Sequence, residues 1–292
     1  MAARLRQLTT RGLVTAWLED GPAGPTTGTP VLLFLHGFPD TAEMWSGQLS
    51  GLADRYTVVA PYGRGVGPSS PADRRARYAP DSVALDLLAV LAAVDPSGAR
   101  PVVLIGHDLG TVHAWNLARF LCDRAAGLVL INGLTIAAMM RRLRRPRQLL
   151  RSWYMPLMQL PVLPELLAKA APEPLLALAH WLGGLTRERR PPATAARDAL
   201  AGPLNQYRVF LAEAPRRLRT VEPRLACPVL VLFGADDAFL LPPRADELAA
   251  AAADVTIRIL PGNHWLHRTR PAQVNALIAE LAEAAQARGR VA

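Results

Sequence analysis

Cysteine is almost absent. Cys122 and Cys227 are the only two in 292 residues and have no metal-binding spacing, so a disulfide-stapled scaffold is excluded and no metal is expected. Cys122 falls in an expected helix and Cys227 just before an expected strand, which reads as two reduced core residues of a cytoplasmic protein. Long apolar runs are missing too. None reaches the ~18 residues that span a bilayer, so no stable membrane insertion is expected, and Arg4, Arg6 and Arg11 interrupt any export leader. Lysine is rarer still, with Lys169 alone among 33 basic residues, so the net charge of +9 rests on arginine. With frequent alanine and proline, that bias reflects a GC-rich coding background rather than a phosphate-binding design. No nucleic-acid module is recognisable, and no nucleic-acid partner is expected.

What is present is a full core: 51% of residues are apolar, and the length suits one α/β core with a single insertion. Short apolar runs alternate with longer helical patterns, the rhythm of βα units. Strands are expected over Leu5 to Thr9, Val14 to Glu19, Val31 to Leu35, Thr57 to Ala60, Val102 to Ile105, Gly127 to Ile131, Val229 to Phe233 and Thr256 to Leu260. Helices are expected over Met44 to Ala53, Ser82 to Val94, Gly110 to Leu121, Pro243 to Ala252 and Pro271 to Arg288. The fold class is therefore α/β, an eight-stranded, mostly parallel sheet flanked by helices.

The rhythm breaks at Thr135 and returns only at Cys227. Residues 1–134 and 223–292 read as the core, and 135–222 as an inserted helical cap whose prolines, among them Pro156, Pro161, Pro164, Pro172 and Pro174, keep its helices short. The cap opens with a dense basic run, Arg141, Arg142, Arg144, Arg145, Arg147 and Arg151. It reads first as a solvated helix face, and second as a surface for anionic lipid. Oligomeric state is left open, a homodimer included.

Chemistry concentrates in four loops that follow strands. Gly106-His107-Asp108-Leu109-Gly110 sits between an apolar strand and a helix, the G-x-nucleophile-x-G elbow with aspartate where serine usually stands. A serine there needs a base, whereas a carboxylate is already an anion at neutral pH. Its attack on an sp3 carbon leaves an alkyl ester that water can cleave, so the elbow points to displacement at carbon. The ester needs an activated water. Gly234-Ala235-Asp236-Asp237 puts an acid after one strand, and Gly262-Asn263-His264-Trp265 puts a histidine after the last. Nucleophile, acid, histidine is the order of the α/β-hydrolase fold.

His264 is the expected base, with Asp237 preferred over Asp236 as its orienting acid because it stands three residues past the strand-ending glycine. The loop His36-Gly37-Phe38-Pro39 supplies a further element. Phe38 and Leu109 are the expected backbone N–H donors to the oxyanion. His36, His107, His113, His180 and His267 lack such placement and read as structural.

With these loops in place the chain resembles the α/β-hydrolase-fold epoxide hydrolases along nearly its whole length. Two cap segments, 152–161 (SWYMPLMQLP) and 202–208 (GPLNQYR), resemble the family's cap motifs. The resemblance implies that Tyr154 and Tyr207 donate hydroxyls to the epoxide oxygen, that the substrates are a small epoxide and water, and that no cofactor is needed. Ring opening develops an alkoxide, which gives phenols with an ordinary pKa near 10 an independent reason to be there. Phe38, Leu109, Trp153 and Trp265 are expected against the substrate. Two departures stand out: Leu109 replaces the family's usual tryptophan, and Pro61-Tyr62-Gly63-Arg64 lacks the aspartate usually found after that proline, which puts loop geometry in question.

Haloalkane and haloacid dehalogenases of the same fold share the aspartate elbow and are the nearest alternative, with Trp153 and Trp181 as possible halide donors. An enzyme that opens epoxides with an internal nucleophile in a biosynthetic role, and a noncatalytic ligand-binding relative, are further alternatives.

Overall fold

The computed structural model describes residues 3–22, 28–186, 201–219, 224–248 and 252–289. Eight strands form one sheet: β1 (Arg4–Thr10), β2 (Leu13–Asp20), β3 (Val31–Leu35), β4 (Thr57–Pro61), β5 (Val102–His107), β6 (Ala125–Ile131), β7 (Val229–Gly234) and β8 (Val255–Leu260). Their order is β1-β2-β4-β3-β5-β6-β7-β8. β1 and β2 form a hairpin whose two-residue turn, Arg11-Gly12, has positive φ at both positions, the geometry that matches strand twist. β2 joins β4 antiparallel, and β4, β3, β5, β6, β7 and β8 run parallel.

Helices cover both faces, so β3, β5 and β7 are buried at every position and are apolar up to their last residues. Leu33 and Leu104 face α2 (Pro80–Val94) and α3 (Gly110–Leu121), while Leu32, Phe34, Val103 and Ile105 face α1 (Ser46–Leu52) and α12 (Pro271–Gly289). The period of two along each strand produces this division. Truncating one of these leucines to alanine would cost about 2–5 kcal/mol.

After β3 the chain turns to one side to form β4 and then crosses back to place β5 on the other side. This reversal opens a crevice at the carboxyl ends of β3 and β5. The sequence-expected Phe38 and Asp108 lie there.

Between β6 and β7 no described residue is in a strand; instead come α4 (Ile136–Arg142), α5 (Pro146–Arg151), α6 (Tyr154–Leu157), α7 (Leu163–Ala170), α8 (Pro172–Leu182) and α9 (Ala201–Arg219). Prolines open α5, α7 and α8, where a missing N–H costs nothing. α9 departs from the expectation of short helices: it runs 19 residues with Pro215 inside and packs against α4 and α7, and tertiary contact offsets the lost backbone bond.

Three further expectations change. Cys122 is exposed, because it stands just past the end of α3 with positive φ, whereas Cys227 is buried; both are free thiols. Helix α10 covers only Ala245–Leu248, residues 249–251 lie outside the described set, and Ala252 forms a parallel bridge with Leu225 instead of helix. The basic run is divided. Arg142 is buried against Glu247, and Arg151 donates to the carbonyls of Asp237 and Leu240, so both tie the insertion to the core; Arg141, Arg144, Arg145 and Arg147 remain exposed. Among the described residues no helix is long and apolar enough to cross a membrane.

Candidate active site

Asp108 sits on the turn between β5 and α3 with φ of 51°, a left-handed conformation that costs a non-glycine residue about 1–3 kcal/mol. The turn is tight enough that a Cβ on Gly110 would lie 2.0 Å from the Leu35 carbonyl oxygen. Gly37 matters for the same reason: a Cβ there would stand 2.5 Å from Asp108 Oδ1. Without it, the loop after β3 brings the Phe38 N–H to Asp108 Oδ1 at 2.9 Å, and the Leu109 N–H also reaches the carboxylate. Both expected donors therefore converge on the Asp108 carboxyl group.

His264, in the loop after β8, points Nε2 at Asp108 Oδ2 from 3.7 Å. Its Nδ1–H donates to Asp237 Oδ2 at 2.9 Å. Asp237 is saturated with donors: Oδ1 accepts from the Phe239 and Leu240 N–H groups, and Oδ2 accepts from Asn132 Nδ2 at 2.7 Å. Asp236 is exposed and makes no such contact. Burial raises the Asp237 carboxyl, but His264 and these donors outweigh it and hold the pKa low. Burial alone would lower His264; the charge and hydrogen bond of Asp237, with the charge of Asp108, instead raise it to about 8. Burial raises Asp108, opposed by His264.

Tyr154 opens α6 and Tyr207 lies in α9, so both come from the helical insertion. Their rings meet edge to face with centroids 6.1 Å apart. Burial, then the negative charge of Asp108, drives both phenols above their ordinary pKa, which keeps them protonated.

These groups share a cavity of about 180 Å³ lined by Phe38, Asp108, Trp153, Tyr154, Tyr207, Phe239, His264 and Trp265 together with aliphatic side chains of α6, α7 and α8. Leu109 is not in this lining. It faces a smaller cavity of about 40 Å³ that shares Asp108 and the two tyrosines with the larger one and is otherwise lined by Val112 and Leu134 of the core and by Met139, Met155 and Phe210 of the insertion. Trp153 is more than half exposed, at 58%, and Trp265 Nε1 donates to Asp40 Oδ2.

Asp40 and Asn132 are absent from the sequence-derived site. Asn132 is the first residue beyond the buried strand β6, a loop position where a buried polar residue is itself a signal. Asp40, fully buried, accepts from Trp265 Nε1 at 2.9 Å and from His180 Nε2 of α8 at 3.2 Å. His107 Nδ1 lies 3.4 Å from the same carboxylate, and its Nε2 bonds the His264 carbonyl oxygen at 2.9 Å. His113 contacts Gln206, His267 stacks on Trp45, and His36 donates Nδ1–H to the Gly37 carbonyl while Nε2 accepts from Gly63 N–H. The loop lacking the family's aspartate keeps its shape by other bonds: Tyr62 donates its hydroxyl to Glu43, and Arg64 pairs with Asp86 at 2.6 Å. Among the described residues no cluster of histidine, cysteine and carboxylates could hold a metal ion.

Residues 32–277 match the model of the alpha/beta hydrolase family. Epoxide hydrolase 3 of Xenopus tropicalis is 31% identical over 264 residues, covering 85% of this chain and 70% of the relative. Epoxide hydrolase 4 of Mus musculus is 31% identical over 269 residues, covering 86% and 72%. Among solved structures, a Bacillus megaterium epoxide hydrolase in complex with an inhibitor superposes with a TM-score of 0.78 at 22% identity, over 95% of this chain and 100% of that one, which speaks for the fold. On the strength of the family match and of the two relatives, the chain belongs to the epoxide hydrolase family of α/β-hydrolases.

Proposed function

We propose that the protein converts epoxides to vicinal diols through an alkyl ester on Asp108. One observation carries the reading: a carboxylate nucleophile faces two protonated phenols across an apolar cavity, with a carboxylate-bound histidine beside it. Asp108 Oδ1 accepts from the Phe38 N–H, which leaves Oδ2 to attack a ring carbon. The carbon–oxygen ring bond breaks, and the ring oxygen takes a proton from Tyr154 or Tyr207. His264 Nε2 then removes a proton from water, whose oxygen adds to the Asp108 carboxyl carbon, and the Phe38 and Leu109 N–H groups hold the oxyanion. Collapse expels the second diol oxygen, which takes the proton from His264, and the new carboxyl proton returns to the tyrosinate. Asp237 keeps the imidazole in the required tautomer, and the insertion carrying the tyrosines, residues 135–222, serves as the cap.

Dehalogenation fits less well. It needs N–H donors aimed at a halide, yet the Trp265 indole is committed to Asp40 and Trp153 stands at the cavity's exposed margin. The aliphatic lining favours aryl or alkyl epoxides. The decisive variant is His264→Gln, which should still open the ring but stall at the ester. Intact mass should then rise by the mass of one epoxide, while the unmodified enzyme releases diol and no halide; diol turnover by the variant without an adduct would contradict the mechanism.

A further inference from the structure

Among the described residues, eleven of the sixteen exposed large apolar side chains fall between Leu149 and Trp181, on α5 to α8 and their connections. Soluble proteins scatter such side chains singly, and a concentration of this kind marks an interaction surface. The face is continuous with the entrance to the cavity: Trp153, Leu157, Leu167 and Leu178 line the cavity and are also exposed, so they form its rim. Trp181 follows Leu178 by three on α8, which puts both on one helix face, and Leu150, near the end of α5, stands three residues before Trp153 in the turn that leads into α6. Leu150 is 76% exposed and Trp181 67%.

Cations flank this face. Arg144, Arg147 and Lys169 are exposed and have no side-chain partner among the described residues. The acidic residues of the same stretch are Glu165, which is paired to Arg208, and Glu173. Exposed indoles and leucines beside arginine and lysine match the headgroup boundary of an anionic bilayer, where the apolar chains enter the acyl region and the cations meet lipid phosphates. A second copy of the chain on this face would stopper the cavity. A bilayer would instead supply it, because an apolar epoxide partitions into lipid.

We infer that the inserted helices dock on anionic phospholipid membranes and that the enzyme draws lipid-dissolved, apolar epoxides directly through the rim formed by Trp153, Leu157, Leu167 and Leu178. The inference rests on the epoxide-hydrolase reading of the site. The test is flotation of the full chain with phosphatidylcholine vesicles with and without phosphatidylserine. The protein should float with the anionic vesicles, less so in high salt. The double variants L150E/W181E and R144E/R147E should lose partitioning at least about tenfold and hydrolyse a short water-soluble epoxide, without lipid, as the unmodified enzyme does.

In the unmodified protein, vesicles should shift tryptophan emission to the blue, and brominated acyl chains should quench it. No flotation, flotation untouched by either double variant, or a dimer that L150E/W181E dissociates without any vesicle binding would each overturn the inference. Absence of diol from the soluble epoxide would instead strike the reading of the site, leaving the flotation result to judge the surface.

Discussion

Asp108 stands where a serine would need activation, and its environment sets the order of events. Burial raises its pKa while His264, protonated up to about pH 8, opposes that rise. Near neutral pH this favours an imidazolium beside the carboxylate, and the proposed mechanism opens the ring before it needs a base. Esterification removes the Asp108 charge, one of the causes that raise His264. The pKa of His264 therefore falls in the intermediate, its proton passes to solvent, and the neutral base appears when water must be activated. Ester hydrolysis followed in single turnover should rise with pH to a plateau, with its midpoint below 8; a profile flat from about pH 5 to 8 would contradict this. In the proposed mechanism the phenols act in the earlier step. Tyr154→Phe or Tyr207→Phe should each slow alkylation by about 10²-fold with little change in ester hydrolysis, read by stopped-flow. An unchanged alkylation rate would remove that tyrosine from the reaction.

At the level of elements, the site is held by contacts between parts distant in the chain. Asp40, in the loop after β3, ties together α8 through His180, the histidine loop through Trp265, and the elbow through His107. Burial raises Asp40, but its histidine partners drive the carboxyl well below the usual range. A depressed folded-state pKa gives stability that is complete above the unfolded value of 3.8 and is lost as pH falls below it. Asp40→Asn should cost about 1–3 kcal/mol in urea unfolding at neutral pH, and the difference from the unmodified protein should shrink in acid. A pH-independent difference would leave the charge without a role. None of this was legible in the sequence, because 140 residues separate Asp40 from His180 and neither belongs to a local pattern. Arg142 was misleading for the same reason: within its run it looks solvated, and only the packing of α4 against the loop after β7 buries it on Glu247.

At the scale of the whole molecule, the eight strands and the four chemical loops were legible because each loop follows a strand with a short apolar run: β3, β5 and β7 are buried along their whole length, and β8 is a partly exposed run of Val255, Ile257, Ile259 and Leu260. Parallel order then fixes where Phe38, Asp108, Asp237 and His264 emerge. The insertion was recognisable by the loss of that rhythm. Its inner arrangement was not, since leucine-rich helices with proline starts fit many packings, and this left the exposure of Trp153 and the position of Leu109 unread.

The central claim is that the carboxylate of Asp108, not solvent, makes the first bond to substrate. Enzyme in excess over an epoxide, taken through one cycle in heavy-oxygen water, should release diol free of the label and leave the heavy atom in the Asp108 carboxyl group, located by mass spectrometry of the peptide. Diol labelled in that first cycle, with an unlabelled Asp108, would contradict the account.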